Sequence, residues 1–158
     1  MVMRNFLFNH AEHLRFEMLA SSSFEPLARL AKKLKGEIKY HIMHADTWVK
    51  QLGNAAEESR NRLQNTLNNI FNSALGIFEP GDYENELQKM KVFDGERALH
   101  KKWIEEITPV LEQSSLVIPA SDKWNPEYGG RKGKHTSYLQ PLIEEMSEVF
   151  RLDPKAEW

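Results

Sequence analysis

Between Pro26 and Leu52 the chain offers a helical pattern with no internal proline, and that stretch limits its fold more than any other feature. Leu27, Leu30, Ala31, Leu34, Ile38, Ala45, Trp48, Val49 and Leu52 recur with the 3.6-residue period of one helix face, held for about seven turns. Proline at the first turn favours initiation there, and Gly53 stands where a helix usually ends on a glycine of positive φ. A helix this long needs partners along its apolar side, so the spacing predicts helix packed on helix.

The rest of the chain fits that frame. Met3, Leu7, Leu14 and Met18 mark a helix over residues 2–20, separated from the long one by Ser21 to Ser23. Asn54 and Glu57 fit the N-cap and N3 positions of a helix over 55–78, with Leu63, Leu67, Ile70, Phe71, Ala74, Leu75 and Phe78 inward. A short helical piece falls within Tyr83 to Met90. Another helix covers 95–114 around Leu99, Trp103, Ile107, Val110 and Leu111, with Pro109 expected to kink it or end its regular part. Residues 116–135 read as a loop. A final helix over 137–152 is expected to bury Leu142, Ile143, Met146, Val149 and Phe150. No strand alternation is present, so the chain is read as one all-α domain over residues 1–158.

Composition narrows the function classes. A net charge of −2 over 158 residues gives no basic excess for nucleic acid. No apolar run approaches the ~20 residues that cross a bilayer, and Arg4, His10, Glu12 and His13 interrupt any signal-peptide core. The expected address is therefore cytoplasmic. Cysteine is absent, which removes disulfide and thiolate chemistry.

Two constellations could carry chemistry. Glu37 and His41, four residues apart, share a helix face with His44 close by, and His41 falls within the apolar stripe, where an imidazole needs a partner or a metal. His10, His13 and Glu17 align similarly on the first helix. Together they resemble half of a carboxylate-bridged di-iron bundle, and an active metal-dependent oxygenase using these six residues is one reading. The di-iron motif, however, is Glu-x-x-His, and three residues before His41 stands Ile38, which cannot bridge irons. The competing reading is a degenerate, metal-like site in which Glu37 and His41 form a buried polar brace. The second constellation is the loop Tyr128-Gly-Gly-Arg-Lys-Gly-Lys-His135. Its Arg131, Lys132, Lys134 and His135 could hold the phosphates of an acyl-CoA or an acidic partner surface. An ordinary solvated turn accounts for it equally well.

Four stretches carry a family resemblance over nearly the whole chain. They are Glu37 with Lys39-Tyr-His41; Trp48-Val-Lys-Gln-Leu-Gly-Asn54 with Glu57-Glu-Ser59; Gly129 to Thr136; and the ending from Leu139 through Glu145-Met146 and Glu148-Val-Phe-Arg to Trp158. The pattern resembles the C subunits of phenylacetyl-CoA 1,2-epoxidases, the multicomponent ring oxygenases of phenylacetate degradation. The resemblance implies a ferritin-like helical bundle and a structural, non-catalytic subunit paired with a catalytic A subunit. That partner would carry the di-iron centre and receive NADPH-derived electrons from a reductase, leaving this chain without a cofactor. Family members have further helices before the point matching Met1, so the chain resembles their C-terminal two-thirds. Faces of the first two helices are then expected to be partly uncovered, available for self-association or for cover by another part of the chain.

Overall fold

The computed structural model describes residues 1–155, and among them the regular elements are all helical. They are α1 (Val2–Leu19), α2 (Glu25–Gly53), α3 (Glu57–Leu75), α4 (Glu84–Lys89), α5 (Glu96–Gln113), α6 (Leu139–Met146) and α7 (Glu148–Leu152). A 3-10 turn, Gly76–Phe78, extends α3. The chain forms two compact units, Met1–Glu127 and a second beginning at Tyr128.

In the first unit α1 is the central helix and packs against α2, α5 and α3. It is antiparallel to α2, as the pairing of His10 with Asp46 and of Glu17 with Lys35 requires. Ala11 on α1 and Ala28, Ala31 and Ala45 on α2 are all buried. Phe6, Leu7, Val49, Leu67, Phe71, Leu99, Trp103, Ile107 and Leu111 fill the space between the helices. Trp103 is fully buried, donates its Nε1–H to the Leu7 carbonyl at 2.9 Å and stacks on Phe71. That bond satisfies the one polar atom this large side chain brings into the core. At the other end of α1, Arg15 reaches both carboxylate oxygens of buried Glu96, joining α1 to the start of α5.

Several local expectations change. The helix does not end at Pro109 but continues through it to Gln113. Asn54 does not cap α3, whose N-cap position is Ala56. It ends α2 instead, donating from Nδ2 to the Gln113 carbonyl at 2.8 Å and accepting from Ser115 Oγ at 3.1 Å. Asn54 thereby ties the close of α2 to the close of α5. Gly53 is the last residue of α2, and its need for glycine is steric. A Cβ there would meet the Ser114 carbonyl oxygen at 2.2 Å.

In the second unit the expected single helix is broken at Ser147 into α6 and α7. Leu142, Ile143, Met146, Val149 and Phe150 are exposed rather than buried. Gly129 (φ +116°) and Gly133 (φ +80°) bracket a short 3-10 turn, and the Lys134 amide closes it on the Gly129 carbonyl at 2.9 Å. Both angles belong to the left-handed region that glycine tolerates without strain.

Gly36 has no such role. It lies inside α2, and a Cβ added there would touch nothing within 4 Å. Gly36→Ala should therefore stabilise the protein by about 0.5–1 kcal/mol, the usual helix-interior difference. An unchanged or lower urea midpoint would show that this position is constrained by something beyond the helix.

Candidate functional site

The most ordered ionisable cluster lies between α1, α2 and α5, and it is centred on His10. This residue is 2% exposed and held from both sides. Its Nδ1 pairs with Glu106 Oε1 at 2.7 Å and its Nε2 with Asp46 Oδ1 at 2.8 Å. Phe6, one turn earlier on α1, packs edge-on against the ring at 4.8 Å. Burial alone pushes the imidazole toward its neutral form. The two carboxylate hydrogen bonds, reinforced by the carboxylate charges, outweigh that effect and raise His10 to about 9. At neutral pH the cluster is therefore an imidazolium bridging two carboxylates. Both ring nitrogens are used as donors, so the ring keeps no lone pair for a metal or a substrate proton.

Asp46 and Glu106 are not among the candidates that sequence spacing singles out, although each leaves a trace there. Asp46 interrupts the apolar series Ile42, Ala45 and Val49 on the side of α2 that meets α1. Glu106 directly precedes buried Ile107 and lies one turn beyond buried Trp103. A carboxylate beside an inward face calls for a partner. Sequence spacing within a single helix could not supply one from another helix.

The expected inward pair, Glu37 and His41, is not inward. Both side chains are exposed, as is His44, and neither Glu37 nor His41 makes a hydrogen bond or ion pair among the described residues. The reason lies in the phase of α2. Ala28, Ala31, Ala45 and Val49 are the buried positions of α2, and Glu37 and His41 lie to one side of the centre of that set. The same rotation leaves Leu30 at 52% and Trp48 at 42% exposure, so the predicted stripe is wider than the buried one. A buried polar brace therefore exists, but it is made by His10, Asp46 and Glu106 rather than by Glu37 and His41.

The other candidates scatter. Glu17 is exposed and ion-paired with Lys35 Nζ at 2.8 Å, and that hydrogen bond, against a smaller opposing effect of burial, lowers its carboxyl pKa. His13 keeps a buried Nδ1 with no hydrogen-bond partner. His44 packs edge-on against Trp48 at 6.2 Å. Among the described residues no set of three His, Asp or Glu side chains converges in a way that could hold a metal ion. The six residues that a di-iron site would draw on therefore do not fit that group as arranged. In the second unit Arg131 and Lys132 lie on the exposed glycine-bounded turn, and Lys134 and His135 follow it, also exposed. A groove of about 450 Å³ lined by Leu52, Ser59, Arg62 and Leu63, and another of about 330 Å³ lined by Arg4, Leu7, Phe8 and Ile70, involve none of the candidate residues. No helix among the described residues is long and apolar enough to cross a membrane.

Helices packed around a central α1, with inward polar side chains bridging them, define a helical bundle of the ferritin-like class. The model of one family, described as "Phenylacetic acid catabolic protein", matches residues 1–158, and the chain belongs to that family. It is similar to the C subunit of the 1,2-phenylacetyl-CoA epoxidase of Escherichia coli strain K12, with 26% identity over 143 residues. That alignment takes in 90% of this chain and 57% of the relative, so the chain spans little more than half the relative's length.

Proposed function

We propose that this chain acts as a structural, non-catalytic subunit of an oxygenase that epoxidises phenylacetyl-CoA. The observation that carries this reading is the saturation of its central ionisable cluster. His10 is locked between Asp46 and Glu106, with both ring nitrogens occupied, in a position suited to bracing three helices. Membership of the phenylacetic acid catabolic family supports the pathway, and similarity to a C subunit supports the role within it. Under this proposal the catalytic A subunit is the partner, carries the di-iron centre and uses NADPH-derived electrons, and the assembly works in the cytoplasm. The basic turn at Arg131, Lys132, Lys134 and His135 then serves as a contact for that partner.

Co-purification tests the role directly. Co-expressed with a tagged A subunit, the chain should be retained in a fixed ratio, and charge reversal at Lys132 and Lys134 should weaken retention. A chain that elutes alone would remove the structural role. Stoichiometric iron in the isolated chain, lost on substitution of His41 or Glu37, would instead assign it a metal-dependent activity of its own.

A further inference from the structure

Beyond α5 the chain runs along α3, where residues Val117 to Glu127 lie as a strap. Gln64 of α3 holds its start, accepting the Val117 amide on Oε1 at 2.9 Å and donating from Nε2 to the Val117 carbonyl at 2.8 Å. At its end Asn72 Oδ1 accepts the Asn125 amide at 2.9 Å, and the Asn72 carbonyl accepts the Glu127 amide at 3.1 Å. Ser73 Oγ donates to Glu127 Oε2 at 2.6 Å. Between these ties the fit is loose. A hollow of about 290 Å³ separates Phe71 and Asn72 of α3 from Pro119, Ala120 and Lys123 of the strap. Trp124 seats the segment. Its ring rests on Phe71 and on His100 of α5, each at 5.7 Å, and its Nε1–H is donated within the strap to the Pro119 carbonyl.

His100 is enclosed by aromatic rings. Phe78 lies 5.0 Å from it and Trp103 6.1 Å, in addition to Trp124. Its Nε2 is buried without a hydrogen-bond partner. A neutral ring can leave a lone pair there, whereas an imidazolium brings a further N–H and a charge into the same place. α1 brings Arg4, and Glu12 and Arg15, which pair with each other; α5 brings Arg97 and Glu96, the latter also held by Arg15. Glu79 follows the 3-10 turn, the strap carries Asp122, Lys123 and Glu127, and α3 has no charged residue from Leu63 to Leu75. None of these charges offsets the cost: burial alone lowers the pKa of His100. The enclosing rings differ in how readily they give way. Phe78 and Trp103 belong to the buried core, and Trp103 is held by its bond to the Leu7 carbonyl. Trp124 is only partly buried, on a segment held largely by side chains of α3. Lifting it is therefore the easiest way to hydrate the imidazolium. We propose that Val117 to Glu127 is a strap released by acid: protonation of His100 unseats Trp124, and the strap lifts from α3 while the helices stay folded. The closed strap is favoured above about pH 6.5, and that preference is lost as pH falls below it. The strap leads directly to Tyr128, where the second unit begins, so lifting adds roughly 35 Å of extended chain to the link between the units.

Amide hydrogen exchange of the 158-residue chain, corrected for intrinsic rates and compared at pH 7 and pH 5, tests this. The Val117, Asn125 and Glu127 amides should open about tenfold more at the lower pH, while the helical amides of Leu67 and Trp103 remain protected. His100→Phe keeps a ring in place without the titrating proton and should flatten that dependence. Trp124→Ala should open the strap about a hundredfold more at pH 7, without exposing Leu67 or Trp103. Asn72→Ala, at a partly buried position on α3, removes one tie without touching the aromatic cluster and should open it about tenfold more. Strap amides that open only together with those of the helices would overturn the proposal, as would strap amides already unprotected at pH 7. So would an acid response that survives in His100→Phe. The measurement concerns the first unit without any partner, so failure here leaves the proposed role in the oxygenase standing.

Discussion

Replacing His10 by alanine should cost about 2–4 kcal/mol of folding stability, read as a lower urea midpoint with an unchanged slope. The variant removes two charge-assisted hydrogen bonds and leaves Asp46 and Glu106 facing each other across a cavity. The carboxylates are 22% and 32% exposed, so water can rescue part of the loss, and the figure stays below that of a fully buried pair. Replacing all three residues by apolar ones of similar volume should recover much of it, because the charges left unpaired are then gone. The pH dependence follows from linkage. His10 is raised from 6.5 to about 9 in the folded protein, so between those values the native state holds a proton that the unfolded chain has released. Its contribution is therefore complete below about pH 6.5 and is lost as pH rises through about 9, a change on the order of 3 kcal/mol. His100 works in the opposite direction. Burial against Phe78, Trp103 and Trp124 lowers its pKa, so its neutral form favours folding and that advantage fades as pH falls below 6.5. Wild-type stability should thus peak near pH 6.5 and decline on both sides. In His10→Ala the alkaline decline alone should disappear; its survival would mean that the raised pKa belongs to another group.

The contacts that hold this fold differ widely in how legible they are in the sequence. The helices are readable because each carries its own period. Leu99, Trp103, Ile107 and Leu111 announce the inner face of α5, and all four are fully buried. Family membership is readable because short stretches such as Gly129 to Thr136 combine residue types that composition alone would not group. The phase of α2 is not readable. Its apolar residues occupy two adjoining sides, a buried one of alanines and valine and an exposed one of larger side chains at Leu30 and Trp48, and a single-helix pattern merges them. Centring the stripe between them turns Glu37 and His41 inward, whereas the buried side of α2 at Ala28, Ala31, Ala45 and Val49 leaves them exposed. The His10 cluster escapes for a related reason. Asp46 and Glu106 lie 36 and 96 residues from His10, and no spacing rule within one helix connects them. Helix ends are least legible where side chains from another element decide them. Asn54 looks like an N-cap for α3 but is drawn to the Gln113 carbonyl at the end of α5.

That junction carries the second large expectation. Gly53→Ala should destabilise the protein by about 2–4 kcal/mol, against the usual sense of a glycine-to-alanine change in a helix. Intrinsic propensity alone would favour alanine by up to about 1 kcal/mol. Here the added Cβ would lie 2.2 Å from the Ser114 carbonyl oxygen, 2.9 Å from the Ser114 Cβ and 3.0 Å from its carbonyl carbon. Two of these three atoms are backbone, so no rotamer change clears them. The end of α5 has to move as a unit. Ser114 is itself fully buried, its amide bonded to Val110 and Leu111 and its hydroxyl to the Val110 carbonyl at 2.7 Å. Displacing it would also stretch the Asn54–Gln113 and Asn54–Ser115 bonds that close the junction. The contrast with Gly36→Ala isolates the cause, since both glycines sit in α2 and differ in what their Cβ would meet. Chemical denaturation of the two variants side by side should move their midpoints in opposite directions. A Gly53→Ala protein as stable as wild type would mean that the ends of α2 and α5 are free to separate, and that Asn54 does not hold them.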